Sequence, residues 1–175
     1  MNDTRRLLKF KYGSGSEEEF KKCLVKFETL RGDGEYDVFT FECDDEPHPD
    51  LKKKLEAMIP FLLENCEFEA DPAHKITVKS ITCTHKAMDS FDVHGLVISG
   101  LRELKHCNAP MNLTSPHKTD RAYSDEDEGY DNLLSSACLN ALDELVVEIF
   151  AYVDGKRAQL ELGLDADEKP AEIPA

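Results

Sequence analysis

Residues 23–43 read CLVKFETLRGDGEYDVFTFEC, and this stretch decides the fold class. Cys23, Val25 and Phe27 alternate with Lys26 and Glu28, the period-2 pattern of a half-buried strand. Arg31-Gly32-Asp33-Gly34 then supplies residues that tolerate positive φ, a strong hairpin cue. Tyr36 to Cys43 returns as a second strand, with Phe39, Phe41 and Cys43 on its apolar side. An antiparallel hairpin is therefore the unit from which the rest is built.

Upstream, Leu8, Phe10 and Tyr12 alternate with Lys9 and Lys11 and add a strand. Gly13-Ser14-Gly15-Ser16 ends it, and Glu17-Glu18-Glu19 keeps the connection solvated. Downstream, Leu51, Leu55, Met58, Ile59, Leu62 and Leu63 recur at the three-and-four spacing of one helical face. Pro49 suits the first turn of that helix, and the acids before it favour the positive end of the helix dipole. Pro60 predicts a kink or an early end. Two further strands are expected over 75–85 and 93–101, joined by a turn near Asp89, with Gly95 and Gly100 marking a bulge or a close backbone approach. A short last strand is expected over 108–115.

Residues 116–130 read as a mobile acidic loop. A second helix is expected over 132–153, with Leu134, Cys138, Ala141, Leu142, Leu145, Ile149 and Tyr152 as its buried stripe and Gly155 at its C′ position. The expected architecture is α+β, an antiparallel sheet of five to six strands with two helices on one face. Residues 1–155 form the single domain, and 156–175 form a tail expected to be disordered.

The chain has 175 residues, enough for one domain with a tail. Its 41% hydrophobic content supports an ordinary core. No apolar run reaches the roughly 18 residues of a membrane helix, and the N-terminus shows no signal-peptide h-region, so the expected location is cytoplasmic. The 21 basic and 36 acidic residues give a net charge of −15. The densest cations, Lys52-Lys53-Lys54 and Lys156-Arg157, lie beside acids, so direct binding of nucleic acid is disfavoured. Cys23, Cys43, Cys66, Cys83, Cys107 and Cys138 contain no CxxC pair and read as small hydrophobes in a reducing compartment.

No phosphate loop, GxSxG elbow or HExxH is present. His74, His94 and His117 each stand apart from any serine or cysteine at a triad spacing, so no catalytic residue and no cofactor is assigned. Asp44, Asp45, Glu46 and His48, with Asp50, form the densest acidic cluster. Hard cations take oxygen ligands gathered on a turn, and a small metal-dependent enzyme is one reading of this loop. The other, which the spacing favours, is a helix entry whose acids cap the dipole. Cys83, His85, His106 and Cys107 would make a zinc site if two strand ends met, although C-x-H and adjacent H-C are not usual zinc spacings.

The segment after Gly155 contains Gln159-Leu160-Glu161-Leu162-Gly163-Leu164. It resembles the bacterial sliding-clamp binding hexapeptide of pattern Q-L-x-L-x-L, with Gln159, Leu160, Leu162 and Leu164 at its four defined positions. A chance match in a chain of this length is on the order of one in a hundred. The resemblance implies an extended peptide that places a glutamine amide in a polar subsite and leucines in an apolar cleft. The same alternation also describes an edge strand completing the sheet.

A broader resemblance rests on Asp44-Asp45-Glu46-Pro47-His48-Pro49-Asp50-Leu51, on Val97-Ile98-Ser99-Gly100-Leu101 with Asn108-Ala109-Pro110 and Ser115-Pro116-His117, and on Gly155-Lys156-Arg157-Ala158-Gln159. These look like a family of small uncharacterised tailed-bacteriophage proteins, which implies an infected bacterial cytoplasm and no catalytic residues. The expected function is a non-enzymatic accessory that binds the sliding clamp, in or against DNA replication, recombination or repair. The alternative partner is a DNA-binding or host-defence protein, blocked by a DNA-mimicking acidic surface.

Overall fold

The computed structural model describes residues 5–13, 22–69, 75–88, 91–123 and 132–158. Its strands are β1 (Arg5–Lys11), β2 (Cys23–Leu30), β3 (Tyr36–Cys43), β4 (Ile76–Ala87), β5 (Asp92–Leu104), β6 (Cys107–Thr114) and β7 (Lys118–Thr119). Its helices are α1 (Pro49–Glu56), α2 (Ile59–Asn65) and α3 (Ser136–Val153). The strands form one antiparallel sheet in the order β3-β2-β1-β4-β5-β6, and β7 pairs with β5 off this path. This is the expected α+β architecture, with β7 as an added strand.

Directly paired residues share a face. Leu7, Phe10, Val25, Phe41, Ile81, Leu96, Ile98 and Leu113 thus line one side of the sheet. Leu51, Leu55, Met58, Leu62 and Leu63 from the α1–α2 segment close over it, together with Cys138, Leu145, Ile149 and Tyr152 from α3. Burial of these side chains at roughly 1.5–3 kcal/mol each is the main stabilising term.

Two bulges set this face. The β1–β2 register slips between Leu7 and Lys9, so Leu7 and Phe10 are buried where strict alternation expects Leu8 and Phe10. The β4–β5 register slips between Val78 and Ser80. Opposite that slip, a Cβ on Gly100 would stand 2.6 Å from the Thr77 carbonyl oxygen and 2.8 Å from Leu62 Cδ2. At Gly100 the backbone of β4 and the α2 side chain of Leu62 both approach too closely for a Cβ.

The expected first helix is bent. Pro60 has no N–H to donate to Glu56, and its ring would collide with that carbonyl. Accordingly α1 stops at Glu56 and α2 restarts with Pro60 in its first turn. α3 starts four residues later than expected. The Ser135 hydroxyl accepts the Cys138 N–H as an N-cap, while Leu134 donates its N–H to the Thr119 carbonyl. Gly155, at φ 108°, ends α3: its N–H bonds Tyr152 O, and Lys156 N–H bonds Ala151 O at 2.8 Å, the two bonds of a Schellman turn.

Of the expected mobile loop, residues 116–123 are held. β7 pairs with Gly95 and Leu96, and Asp120 exchanges hydrogen bonds with the His94 backbone. The remainder, 124–130, lies outside the described residues. No helix among the described residues is long and apolar enough to cross a membrane.

Candidate functional site

The acidic helix entry and the end of α3 form one polar junction. Asp45 meets Arg157 Nε at 3.4 Å, Glu46 pairs with Lys52, and Asp50 pairs with Lys156 at 2.8 Å. Lys156 also reaches Glu148 at 2.8 Å. Its hydrogen bond holds the Asp50 carboxyl below the usual carboxylate range. Among the described residues, Asp45 and Glu46 thus face cations and His48 caps a helix, and no group of three or more His, Cys, Asp or Glu is arranged to hold a metal ion. His48 Nδ1 accepts the Asp50 N–H at 3.3 Å. The same nitrogen lies 3.0 Å from Asp50 Oδ2, a contact that needs it protonated, so cap and ion pair are alternatives.

Tyr152 ties this junction to the core. Its hydroxyl donates to Asp45 O at 2.7 Å and Cys43 O at 3.3 Å, and burial drives its pKa upward. Arg157 lies over the Tyr152 ring, 4.1 Å from its centroid, and donates to the Tyr152 carbonyl. Ala158 N–H bonds Glu46 O at 3.0 Å, and Pro47 and Arg157 form an antiparallel bridge. Lys156 to Ala158, expected in the tail, are therefore part of the folded domain. Gln159, Leu160, Leu162 and Leu164 begin at the next residue and lie outside the described residues.

Strand pairing overturns the zinc reading. His85 pairs with His94 near the start of β5, whereas Cys107 pairs with Leu104 at its end. Ten residues of strand separate the two positions, roughly 33 Å at about 3.3 Å per residue. Burial also pushes the Cys83 thiol up to about 12, and the Cys23 and Cys138 thiols up to about 11. All three are protonated near neutrality and poorly nucleophilic.

His94 does not stand alone. His85 Nδ1 and His94 Nδ1 are 2.9 Å apart, and His85 Nε2 is 2.9 Å from the carbonyl of Leu7, beside the β1 bulge. A carbonyl only accepts, so Nε2 carries the His85 proton. His85 Nδ1 then accepts from His94 Nδ1–H, which leaves His94 Nε2 as the open basic position. Burial lowers the His85 pKa. Nearby, Arg6 reaches Asp92 at 3.0 Å and Glu28 at 3.9 Å. On the opposite face His117 Nε2 meets Thr84 Oγ1 at 2.9 Å, over Gly95, where a Cβ would overlap both side chains. Among the described residues the arrangement brings no serine or cysteine nucleophile within hydrogen-bond reach of the pair.

Linear reading also missed a cation cluster. Lys9 and Lys26 are directly opposed on the helix-free face, with Lys11 two positions along. Comparison of the chain with family models, with curated proteins and with solved structures finds no match.

Proposed function

We propose that this protein is a non-enzymatic, phage-type accessory that docks on the bacterial sliding clamp through Gln159, Leu160, Leu162 and Leu164, in the cytoplasm of an infected bacterium and without a cofactor. The observation that carries the reading is the Q-L-x-L-x-L sequence itself. It is supported by the junction just before it, where Lys156, Arg157 and Ala158 are each bonded to the domain. A peptide that starts beside a fixed anchor holds the domain close to whatever the peptide binds. Tethering of this kind asks for no basic surface, which suits a net charge of −15. Leucine anchors carry the contact, so its salt dependence is mild.

The test is titration of a bacterial sliding clamp with the intact protein and with a Gln159→Ala, Leu162→Ala variant. The expected result is a wild-type Kd on the order of micromolar, about −8 kcal/mol, lost in the variant. Absence of wild-type binding, or equal binding by the variant, overturns the reading.

A further inference from the structure

β3 is an edge strand, and among the described residues its backbone pairs on one side only, with β2. That ladder runs from Cys23↔Cys43 to Leu30↔Tyr36 without a register slip, so the free edge is straight. Asp37, Val38, Phe39 and Thr40 are exposed in succession, Val38 at 56% and Phe39 at 47%. Successive side chains project to opposite faces, so an apolar group marks each side of the edge. Phe39 stacks on Phe27, ring centroids 5.5 Å apart, and is a preformed platform. β3 contains no proline, lysine or bulge, the usual devices that blunt an edge.

Its charge limits what can add there. Asp33, Glu35, Asp37, Glu42, Asp44, Asp45 and Glu46 lie in one stretch without a lysine or arginine. Arg31, Lys22, Arg157 and Lys52 reach in from outside and pair with Asp33 and Asp37, Glu42, Asp45 and Glu46 respectively. An acidic excess remains. A second copy pairing edge to edge would set these acids against themselves, and like charges directly opposite each other destabilise a ladder.

We propose that the free edge of β3 docks a basic, extended segment of a partner protein as an added strand. Main-chain hydrogen bonds supply the pairing; aliphatic residues on one face of the added strand pack beside Phe39, and lysines or arginines on the other face meet Glu42, while Asp37 and the acidic flanks add to the attraction. The proposal does not need Gln159–Leu164 to bind a clamp; it needs only that this segment leave the β3 edge open.

The probe is a labelled peptide of about ten residues that alternates lysine and valine, added to the full-length protein. Two controls accompany it, one with prolines replacing two valines and one with glutamate replacing lysine. The lysine–valine peptide is expected to bind, to slow hydrogen exchange at the β3 amides that do not bond β2, and to lose about tenfold or more in affinity in an Asp37→Lys, Glu42→Lys variant whose thermal midpoint is unchanged. Neither control is expected to bind. No binding of the probe, equal binding of the proline peptide, or protection outside β3 overturns the proposal. So does protection, in the protein alone, of the β3 amides that do not bond β2: if independent of concentration the chain fills its own edge, and if dependent on it a second copy does.

Discussion

The two edges of the sheet are protected in different ways. β6 carries Pro110, and its pairing with β5 slips between Arg102 and Leu104, so three residues of β6 bulge opposite Glu103. Beyond β6 the same side of β5 is occupied by β7. An incoming strand on β6 would find a missing donor and a bend. β3 has an unbroken ladder on its inner side, and among the described residues acidic charge is the feature that guards its outer one. Shape excludes every strand, whereas charge excludes only like-charged ones. The β6 edge is closed, and the β3 edge is selective.

The largest effect is expected on the β6 side. Gly100→Ala places a methyl against the Thr77 carbonyl and Leu62, and backbone cannot rotate away as a side chain can. Such overpacking costs up to about 3 kcal/mol, read as a lower urea midpoint. An unchanged midpoint would mean that the β4 bulge yields and does not fix the β5–β6 geometry. On the β3 side, Tyr152→Phe strands the Asp45 and Cys43 carbonyls and should cost about 1–2 kcal/mol. A smaller loss, within about 0.5 kcal/mol, would show that water replaces the hydroxyl and that the β3 end is not tied to α3 through it.

The sequence pattern carried both edges unevenly. The hairpin of residues 23–43 and both helical stripes are local, so their periodicity is visible without the fold. Leu8 misled because a bulge adds one residue and shifts every side chain beyond it to the other face. The break after Glu56 was legible from Pro60, since the steric conflict is a property of that residue alone. The His85–His94 pair was legible in principle: a hairpin centred near Asp89 sets these positions opposite each other. The Lys9–Lys26 opposition follows from the bulged register of β1 with β2, which no linear pattern encodes. The clamp-like motif is a case of the reverse kind, clear as a pattern and outside the described residues.

Between the edges, the His85–His94 pair makes the β4–β5 hairpin sensitive to pH. The folded His85 pKa lies below its ordinary 6.5, through burial first, then His94 and Arg6, with Leu7 O and Glu28 opposing. The unfolded chain therefore binds the proton more readily. Stability is full above about 6.5 and falls as pH drops through the folded value. Asp33, Asp50 and Asp154, held below 3.8 chiefly by Arg31, Lys156 and Arg5, lose their contributions only in stronger acid. Between pH 7.5 and 5 the wild type should thus lose more stability than His85→Gln in urea titrations. Parallel losses would remove the pair from the account.

The smallest change in stability belongs to the acids of β3, and it bears most directly on the contrast between edges. Asp37→Asn with Glu42→Gln alters two exposed side chains, so the folded domain should change by no more than about 0.5 kcal/mol. What changes is the repulsion between two copies. Val38, Phe39 and the regular β3 edge remain, now without part of the charge that keeps a second β3 away. The variant is expected to associate in sedimentation velocity at concentrations where the wild type keeps a constant sedimentation coefficient. Pro110→Val on β6 should leave that coefficient unaltered, because the bulge still bends the edge. If the neutralised β3 does not associate, charge is not its guard and the selectivity assigned to this edge falls. If Pro110→Val associates instead, the closed edge is β3, and the comparison is inverted.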